Sequence, residues 1–351
     1  MPEKGTKPSV GTSIATAERI PMSISDAEST VARGHELQIL IDELYERHLP
    51  QTFGEVATYI PELSKADPEA FGVCLVTADG RTFEAGDCDR PFTIQSISKP
   101  FTYGMALEEF GAAKVFEHVG VEPSGDAFNS IELQNGSNRP YNPMINSGAI
   151  TVTALLHSRY GNRTFEYMLE RFSVIAGRQL TLDRDVYESE RRTGHRNRAI
   201  AHLLLNFGLV HEEAEAALDV YFKQCSILVT CRDLAMMAAT LSNMGRHPLT
   251  GCSAYSITHV KDMLSIMFTC GMYDYSGQWA YRVGVPAKSG VSGGVITVVN
   301  RQLGVGTYSP RLDPYGNSCR GTEVCVDLAS RLGLHVFDCL NVGSSFLDAI
   351  L

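Results

Sequence analysis

The sequence has no run of about 18 or more apolar residues, so a membrane-spanning helix is not expected. It has no Cys-x-x-Cys pair and an odd number of cysteines, nine, which argues against a disulfide framework. None of its ten histidines is paired at His-x-x-x-His spacing, and there is no Gly-x-x-x-x-Gly-Lys phosphate loop. Neither a metal nor a nucleotide is suggested, and no cofactor is expected. The N-terminal stretch MPEKGTKPSVGTSIATAERI lacks the apolar core of a secretory signal. Together with reduced thiols, this reads as a cytoplasmic protein. Positive charge is in deficit: 30 Lys and Arg stand against 40 Asp and Glu, for a net charge of −10. Non-specific binding to nucleic acid or to an anionic membrane is therefore not expected.

The chain is long enough for one large domain or two fused ones, at 351 residues. Its 44% hydrophobic and 20% charged residues are ordinary for a globular enzyme. Residues 1 to about 30 are rich in Ser, Thr, Pro and charge without a sustained period, and read as a flexible extension. Leu37, Leu40, Ile41 and Leu44 fall at i, i+3, i+4 and i+7, which predicts an amphipathic helix. FGVCLVT, Asp79-Gly80 and RTFEAG read as a hairpin with a tight turn. From about 112 to 268 the pattern is mostly helical, as in AITVTALLHSRY, FEYMLERF, AIAHLLLNF, AEAALDVYF and LAMMAATLSNM. LQNGSNRPYNP and YESERRTGHRNR read as polar loops between these helices. AYRVGVPAK, GVITVVN and LGVGTYS then read as consecutive strands, and TEVCVDLASRLG as a closing helix. Strands at both ends with helices between predict an α+β fold, in which one antiparallel sheet from about 65–95 and 280–310 is flanked by helices and a mostly helical subdomain.

One tetrad carries chemistry. Ser96-Ile97-Ser98-Lys99 places a lysine one helical turn beyond a serine. A serine hydroxyl is a poor nucleophile without an adjacent base, and a lysine held neutral by burial can take its proton. Pro100 is tolerated only in the first turn of a helix, which puts Ser96 near the helix start, and Gly111 suits its end. On its own the tetrad fits an ordinary helix with an exposed lysine better than a catalytic pair. A second element far downstream, Lys288-Ser289-Gly290, changes the reading, because Ser-x-x-Lys followed by Lys-Thr/Ser-Gly marks serine acyl-transfer enzymes of the penicillin-recognising type.

The segments VATYIPEL, PFTIQSISKPF, EPSG-x-x-FNS, NPMINSGAI, YESE-x-x-x-G-x-RN, LD-x-YF-x-QCSI, TCGMYD-x-SG and PAKSGVSGG follow in order over roughly residues 35 to 335. In these the chain resembles the serine-dependent glutaminases of β-lactamase-like fold. The resemblance implies a catalytic domain over about 31–340 and a short tail over 341–351. It implies hydrolysis of L-glutamine through a serine acyl-enzyme, with no cofactor, in a homodimer or homotetramer. Carried over residue by residue, it implies Ser96 as nucleophile, Lys99 as its base, Tyr273 as catalytic tyrosine and Val291 as an oxyanion-hole amide. Substrate-binding positions fall on Tyr59, Gln95, Asn146, Glu190, Asn197 and Tyr221, together with Ser96, Tyr273 and Val291. Glu190 is the one anion among them and suits the α-ammonium of glutamine, while the asparagines and tyrosines suit its carboxylate. The chain departs from many relatives at Ser147, where they carry alanine. The basic cluster Arg191, Arg192, His195, Arg196 and Arg198 reads as a solvated loop or helix entry whose ion pairs can help keep Glu190 and Asn197 in place. Lys288 is open between two roles, a positive potential near the nucleophile and a structural strand-edge lysine.

Competing readings are disfavoured. No Ser-Asp-Asn triplet accompanies the Ser-x-x-Lys, as a β-lactamase or transpeptidase requires. A binding protein that had lost catalysis would not be expected to keep every catalytic residue type. Another carboxamide, such as asparagine, remains as a related substrate.

Overall fold

Five antiparallel strands drawn from the two ends of the chain form one sheet, in the order Thr82–Gly86, Gly72–Thr77, Leu303–Tyr308, Gly294–Val299, Ala287–Ser289. The structure is a computed structural model and describes residues 24–124, 131, 133–210 and 214–338. They fall in two compact units, up to Leu37 and from Gln38 onward. The Asp79-Gly80 hairpin forms as the sequence predicts, with Gly80 at φ 92°. The N- and C-terminal strands join directly, Leu75 opposite Val305. Every residue of Gly72–Thr77, Gly294–Val299 and Leu303–Tyr308 is buried. Strands covered on both faces read as continuous apolar runs, which is why the sequence shows no alternation there.

The helix Cys231–Ser242 lies across this sheet. Two glycines of one strand make its approach possible. A Cβ at Gly304 would stand 2.2 Å from the Ala239 nitrogen, and one at Gly306 would stand 2.5 Å from the Cys231 carbonyl oxygen. The helix start is fixed by a capping box between Thr230 and Asp233, and Arg178 holds Asp233 with an Nε–Oδ1 distance of 2.7 Å. The helical part comprises Ser98–His118, Asn146–Tyr160, Thr164–Ala176, His195–Asn206, Ala214–Cys225 and Ile257–Cys270, among others.

The structure corrects several expectations. Gly111 does turn the chain, at φ 75° and ψ 156°, but helix resumes at once and runs to His118. YESERRTGHRNR is not a loop: helix Arg184–Thr193 runs into helix His195–Asn206 with only Gly194 between. Its charges hid a buried face of Val186, Ser189 and Glu190, and Asp183 caps it by accepting from the Asp185 and Val186 amides. Of the expected strand AYRVGVPAK only the end is strand, in Ala287–Ser289; its start lies in helix Ser276–Arg282, anchored by fully buried Trp279, whose Nε1 donates to the Val285 carbonyl at 2.8 Å. Gly284, at φ 68°, closes that helix end by donating to the Trp279 carbonyl. The helix expected around Leu37 to Leu44 spans Ile24–His48 and so starts inside the segment read as an extension. Residues 1–23 and the tail 341–351 lie outside the described residues, as do residues 125–130 of the EPSG-x-x-FNS segment. A second sheet, in the order Phe92–Thr93, Ile227–Val229, Thr181–Leu182, had no signal in the sequence. Among the described residues the cysteines are free thiols, no helix is long and apolar enough to cross a membrane, and no cluster of His, Cys, Asp or Glu could hold a metal.

The close approach of helix to sheet makes a testable contrast. Gly306→Ala forces a methyl against backbone and is expected to lower unfolding free energy by about 1–3 kcal/mol. Gly277→Ala, in the helix Ser276–Arg282 with open space around its Cβ, is expected to be neutral or stabilising by up to about 1 kcal/mol. Denaturant midpoints of the two variants compare them directly, and indistinguishable midpoints would contradict the packing argument.

Candidate functional site

Ser96 stands in the tight turn Gln95–Ile97, immediately before helix Ser98–His118, and Pro100 occupies the first turn of that helix. The turn forces Gln95 to φ 49°, a left-handed conformation that costs on the order of 1–3 kcal/mol in a residue with a Cβ. Its surroundings hold it there. The Ile94 amide donates to the Ile227 carbonyl at 2.8 Å, which ties the turn to the small sheet. Beneath it runs a buried relay: Thr153 Oγ1 donates to Gln224 Oε1 at 3.0 Å, Gln224 Nε2 to Ser98 Oγ at 2.9 Å, and Ser98 Oγ to the Gln95 carbonyl at 2.7 Å. A fully satisfied polar network of this kind specifies one arrangement of the turn.

Lys99 follows on the same face and is 1% exposed. Its Nζ donates to Asn146 Oδ1 at 2.7 Å and to the Met144 carbonyl at 3.2 Å. Burial pushes its pKa down to about 8, against the opposing pull of neighbours that include Glu190. Asn146 is itself fixed: its Nδ2 donates to Asn197 Oδ1 at 3.0 Å, and its Oδ1 also accepts from the Tyr221 hydroxyl at 3.3 Å.

Ser96 and Asn146 face a cavity of about 120 Å3 whose walls also include Tyr59, Gln95, Glu190, Asn197 and Tyr221. Seven of the ten residues implied by the resemblance thus meet in one place. Glu190 is buried, and its Oε2 has no hydrogen-bond partner. Burial raises its pKa to about 8, with Lys99 and the Ser226 hydroxyl opposing. The Ser226 proton is directed to the Phe222 carbonyl at 2.9 Å, so the carboxylate gains little from it. Tyr59 is 57% exposed as a whole, but its hydroxyl end is enclosed near Glu190 and Tyr273. Burial raises the pKa of Tyr59 and Tyr221 well above the usual phenol range, so both are neutral donors at ordinary pH. A larger cavity of about 570 Å3, walled mostly by aliphatic side chains such as Leu155, Leu205, Leu209 and Val210, contains none of the implied residues.

Lys99, Tyr273 and Val291 do not line the small cavity. The Tyr273 hydroxyl is hydrogen-bonded with the Ser96 side chain and donates to the Ser289 carbonyl at 3.0 Å. Burial raises its pKa, so it stays protonated. Like Gln95, it takes a left-handed backbone, φ 55°. Val291 packs with Tyr273, Ile60 and Val186. Gly290 brings this segment to the serine turn, since a Cβ there would stand 3.1 Å from the Ile94 carbonyl oxygen.

Sequence reasoning missed some of the walls. Cys225, Ile60, Thr193, Gly194 and Arg196 also line the cavity, and Gln224 and Ser98 support it from below. Gln224 and Cys225 lie inside the LD-x-YF-x-QCSI segment, which was the available signal. The expected ion pairs from the basic cluster to Glu190 are absent among the described residues: Arg191 pairs with Glu188 and Arg198 with Glu215, so the opposing charge felt by Glu190 comes from Lys99. Ser147, the departure from many relatives, is 1% exposed with its hydroxyl unpartnered, a place where alanine would lose nothing.

A model of the glutaminase family matches residues 54–337. The glutaminase of Trichormus variabilis is 50% identical over 310 residues, 88% of this chain and 93% of that one, and the glutaminase of a Nostoc species is 50% identical over 305 residues, 87% and 91%. Among solved structures, Mglu in its glutamate form matches with a TM-score of 0.83 at 43% identity, covering 87% of this chain and 70% of that chain. The probable glutaminase ybaS matches with a TM-score of 0.83 at 39% identity, covering 86% and 98%. The α+β, β-lactamase-like fold class expected from the sequence is borne out by these neighbours. On this extent of identity and of shared fold, the chain belongs to the glutaminase family.

Proposed function

We propose that this enzyme hydrolyses L-glutamine to L-glutamate and ammonia through a γ-glutamyl ester on Ser96, with Lys99 as general base. The observation that carries the reading is the setting of the Lys99 amine. A neutral amine has two N–H donors and one lone pair. The Asn146 and Met144 oxygens take both donors, so the lone pair is the site on the amine left to accept a proton. Its depressed pKa makes the neutral form available near ordinary pH.

Lys99 takes the Ser96 proton as Oγ attacks the side-chain carboxamide carbon. The oxygen that becomes negative is received by the backbone N–H groups of Ser96 and Val291. The proton held by Lys99 reaches the departing nitrogen through the Tyr273 hydroxyl, which burial keeps protonated, and ammonia leaves. Water then attacks the ester, Lys99 accepts its proton, and that proton returns to Ser96 Oγ as glutamate is released. Glu190, buried and with an unpartnered oxygen, receives the substrate α-ammonium. Tyr59, Asn146, Asn197 and Tyr221 serve the α-carboxylate, and Gln95 fixes the approach to Ser96. A cytoplasmic setting and assembly as a homodimer or homotetramer accompany this reading, and both are tested by fractionation and by light scattering.

Ser96→Ala is expected to lower ammonia release by more than about 10³-fold while calorimetry still registers L-glutamate binding. Turnover near the wild-type rate would remove Ser96 from the nucleophile's role.

The pH profile follows from two buried groups. Lys99 titrates near 8 from a lowered value, so its competent neutral form grows as pH rises through about 8. Glu190 titrates near 8 from a raised value, so its ammonium-binding anion grows over the same range. The two signs agree, and kcat/KM for glutamine is expected to fall below about pH 8 more steeply than a single ionisation allows. Bound α-ammonium favours the ionised carboxylate and the neutral amine, so the acid limb of kcat should lie at lower pH than that of kcat/KM. In Glu190→Gln one ionisation disappears and the limb should become single. A profile flat from about pH 6 to 8 would contradict the assignment.

A further inference from the structure

We propose that Lys288 is the positioning residue of Tyr273, fixing through two backbone carbonyls where the tyrosine hydroxyl stands against Ser96. The sequence left two roles open for this lysine, a positive potential near the nucleophile and a structural strand-edge lysine. It lies in Ala287–Ser289, the edge strand of the five-stranded sheet, yet the side chain is fully buried. Its Nζ donates to the Gly271 carbonyl at 2.9 Å and to the Ser289 carbonyl at 2.7 Å, and lies 4.1 Å from the centre of the Tyr273 ring. Gly271 precedes Met272-Tyr273, and Ser289 precedes Gly290-Val291. One amine therefore ties together the two segments that carry the catalytic tyrosine and the oxyanion amide.

The Ser289 carbonyl is the shared point. It accepts both from Lys288 Nζ and from the Tyr273 hydroxyl, the latter at 3.0 Å. The Ser289 amide in turn donates to the Gly271 carbonyl at 3.2 Å, so the two oxygens that hold Lys288 are coupled through the backbone. With its nitrogen over one face of the ring, Lys288 also blocks the tyrosine from tipping that way. Tyr273 needs such support, because its backbone is left-handed at φ 55°. A lysine kept only for packing is hard to account for here. Burying an amine is unfavourable, and an apolar side chain of similar shape usually packs as well or better. Burial, with the Lys99 charge adding to it, holds the pKa of Lys288 well below the usual lysine range, which suits a hydrogen-bond donor and not a source of positive potential.

The inference rests on the catalytic reading of Tyr273, and the test separates the two. Lys288→Met and Lys288→Gln are made in the full-length protein, each alone and combined with Tyr273→Phe. Ammonia release, L-glutamate binding by calorimetry and thermal melting are measured for all. Lys288→Met is expected to lower kcat by about 10- to 100-fold, the cost of a small misplacement, with the glutamate Kd within about threefold. Lys288→Gln keeps an NH2 donor pair and is expected to recover part of that loss. In the Tyr273→Phe background, where the hydroxyl to be placed is gone, either Lys288 change should cost less than about threefold more. The same fold-loss in both backgrounds overturns the proposal, as does a wild-type kcat in Lys288→Met. Failure of both Lys288 variants to fold also overturns it and assigns the lysine to the fold. Full activity in Tyr273→Phe instead removes the catalytic role of the tyrosine, a distinct outcome.

Discussion

The Lys99 amine is taken out of water and given two acceptors, the Met144 carbonyl and the Asn146 side chain. Much of the site is arranged around that placement. Burial of an ammonium is unfavourable, so the group is pushed toward the neutral form that can serve as a base. The same burial acts with opposite sign on Glu190, which is pushed toward its neutral acid. Burial therefore suppresses the charged forms of both groups. A zwitterionic substrate reverses this at one end, since its ammonium restores a reason for Glu190 to ionise. On the proposed reading, recognition and base activation are thus coupled through a single low-dielectric space.

The fold supplies rigidity where that space needs it. The serine turn is fixed by the small sheet on one side and by the Thr153–Gln224–Ser98 relay beneath. The segment Ser289–Val291, which follows the strand Ala287–Ser289, reaches it because Gly290 leaves room beside Ile94. Two non-glycine residues at the site, Gln95 and Tyr273, adopt left-handed backbones. Both are over-determined by neighbours, which is the condition under which local strain persists in a folded protein.

Legibility in the sequence follows how local each cause is. The Asp79-Gly80 hairpin, the strands Gly294–Val299 and Leu303–Tyr308, and the serine-bearing helix start at Ser98 depend on near neighbours, and the chain shows them. Helix Arg184–Thr193 was obscured because its charged exposed face outweighs three buried residues. Ser276–Arg282 read as strand because the anchor that makes it helical, Trp279 on the Val285 carbonyl, is a tertiary bond. At the site, Ser96 and Lys99 carry their own spacing signal, whereas Tyr59, Asn146, Glu190, Asn197 and Tyr221 could be singled out only through the family resemblance. Their convergence depends on contacts such as Asn146 to Asn197 and Gln224 to Ser98, which span long stretches of chain and leave no periodic trace. Lys288 shows the limit most clearly: its triplet was visible, but its burial against Tyr273 was not.

The most direct test of the central claim is the pKa of Lys99 in the free enzyme. Protein labelled with ¹³C at the lysine ε-carbon can be titrated by NMR, with the Lys99 signal identified by its loss in Lys99→Arg. A midpoint near 8 is the expected result, set by burial beneath Ser96. A midpoint at the ordinary lysine value of about 10.4 would contradict the account, because the amine would then be charged throughout the working range and could not take the serine proton.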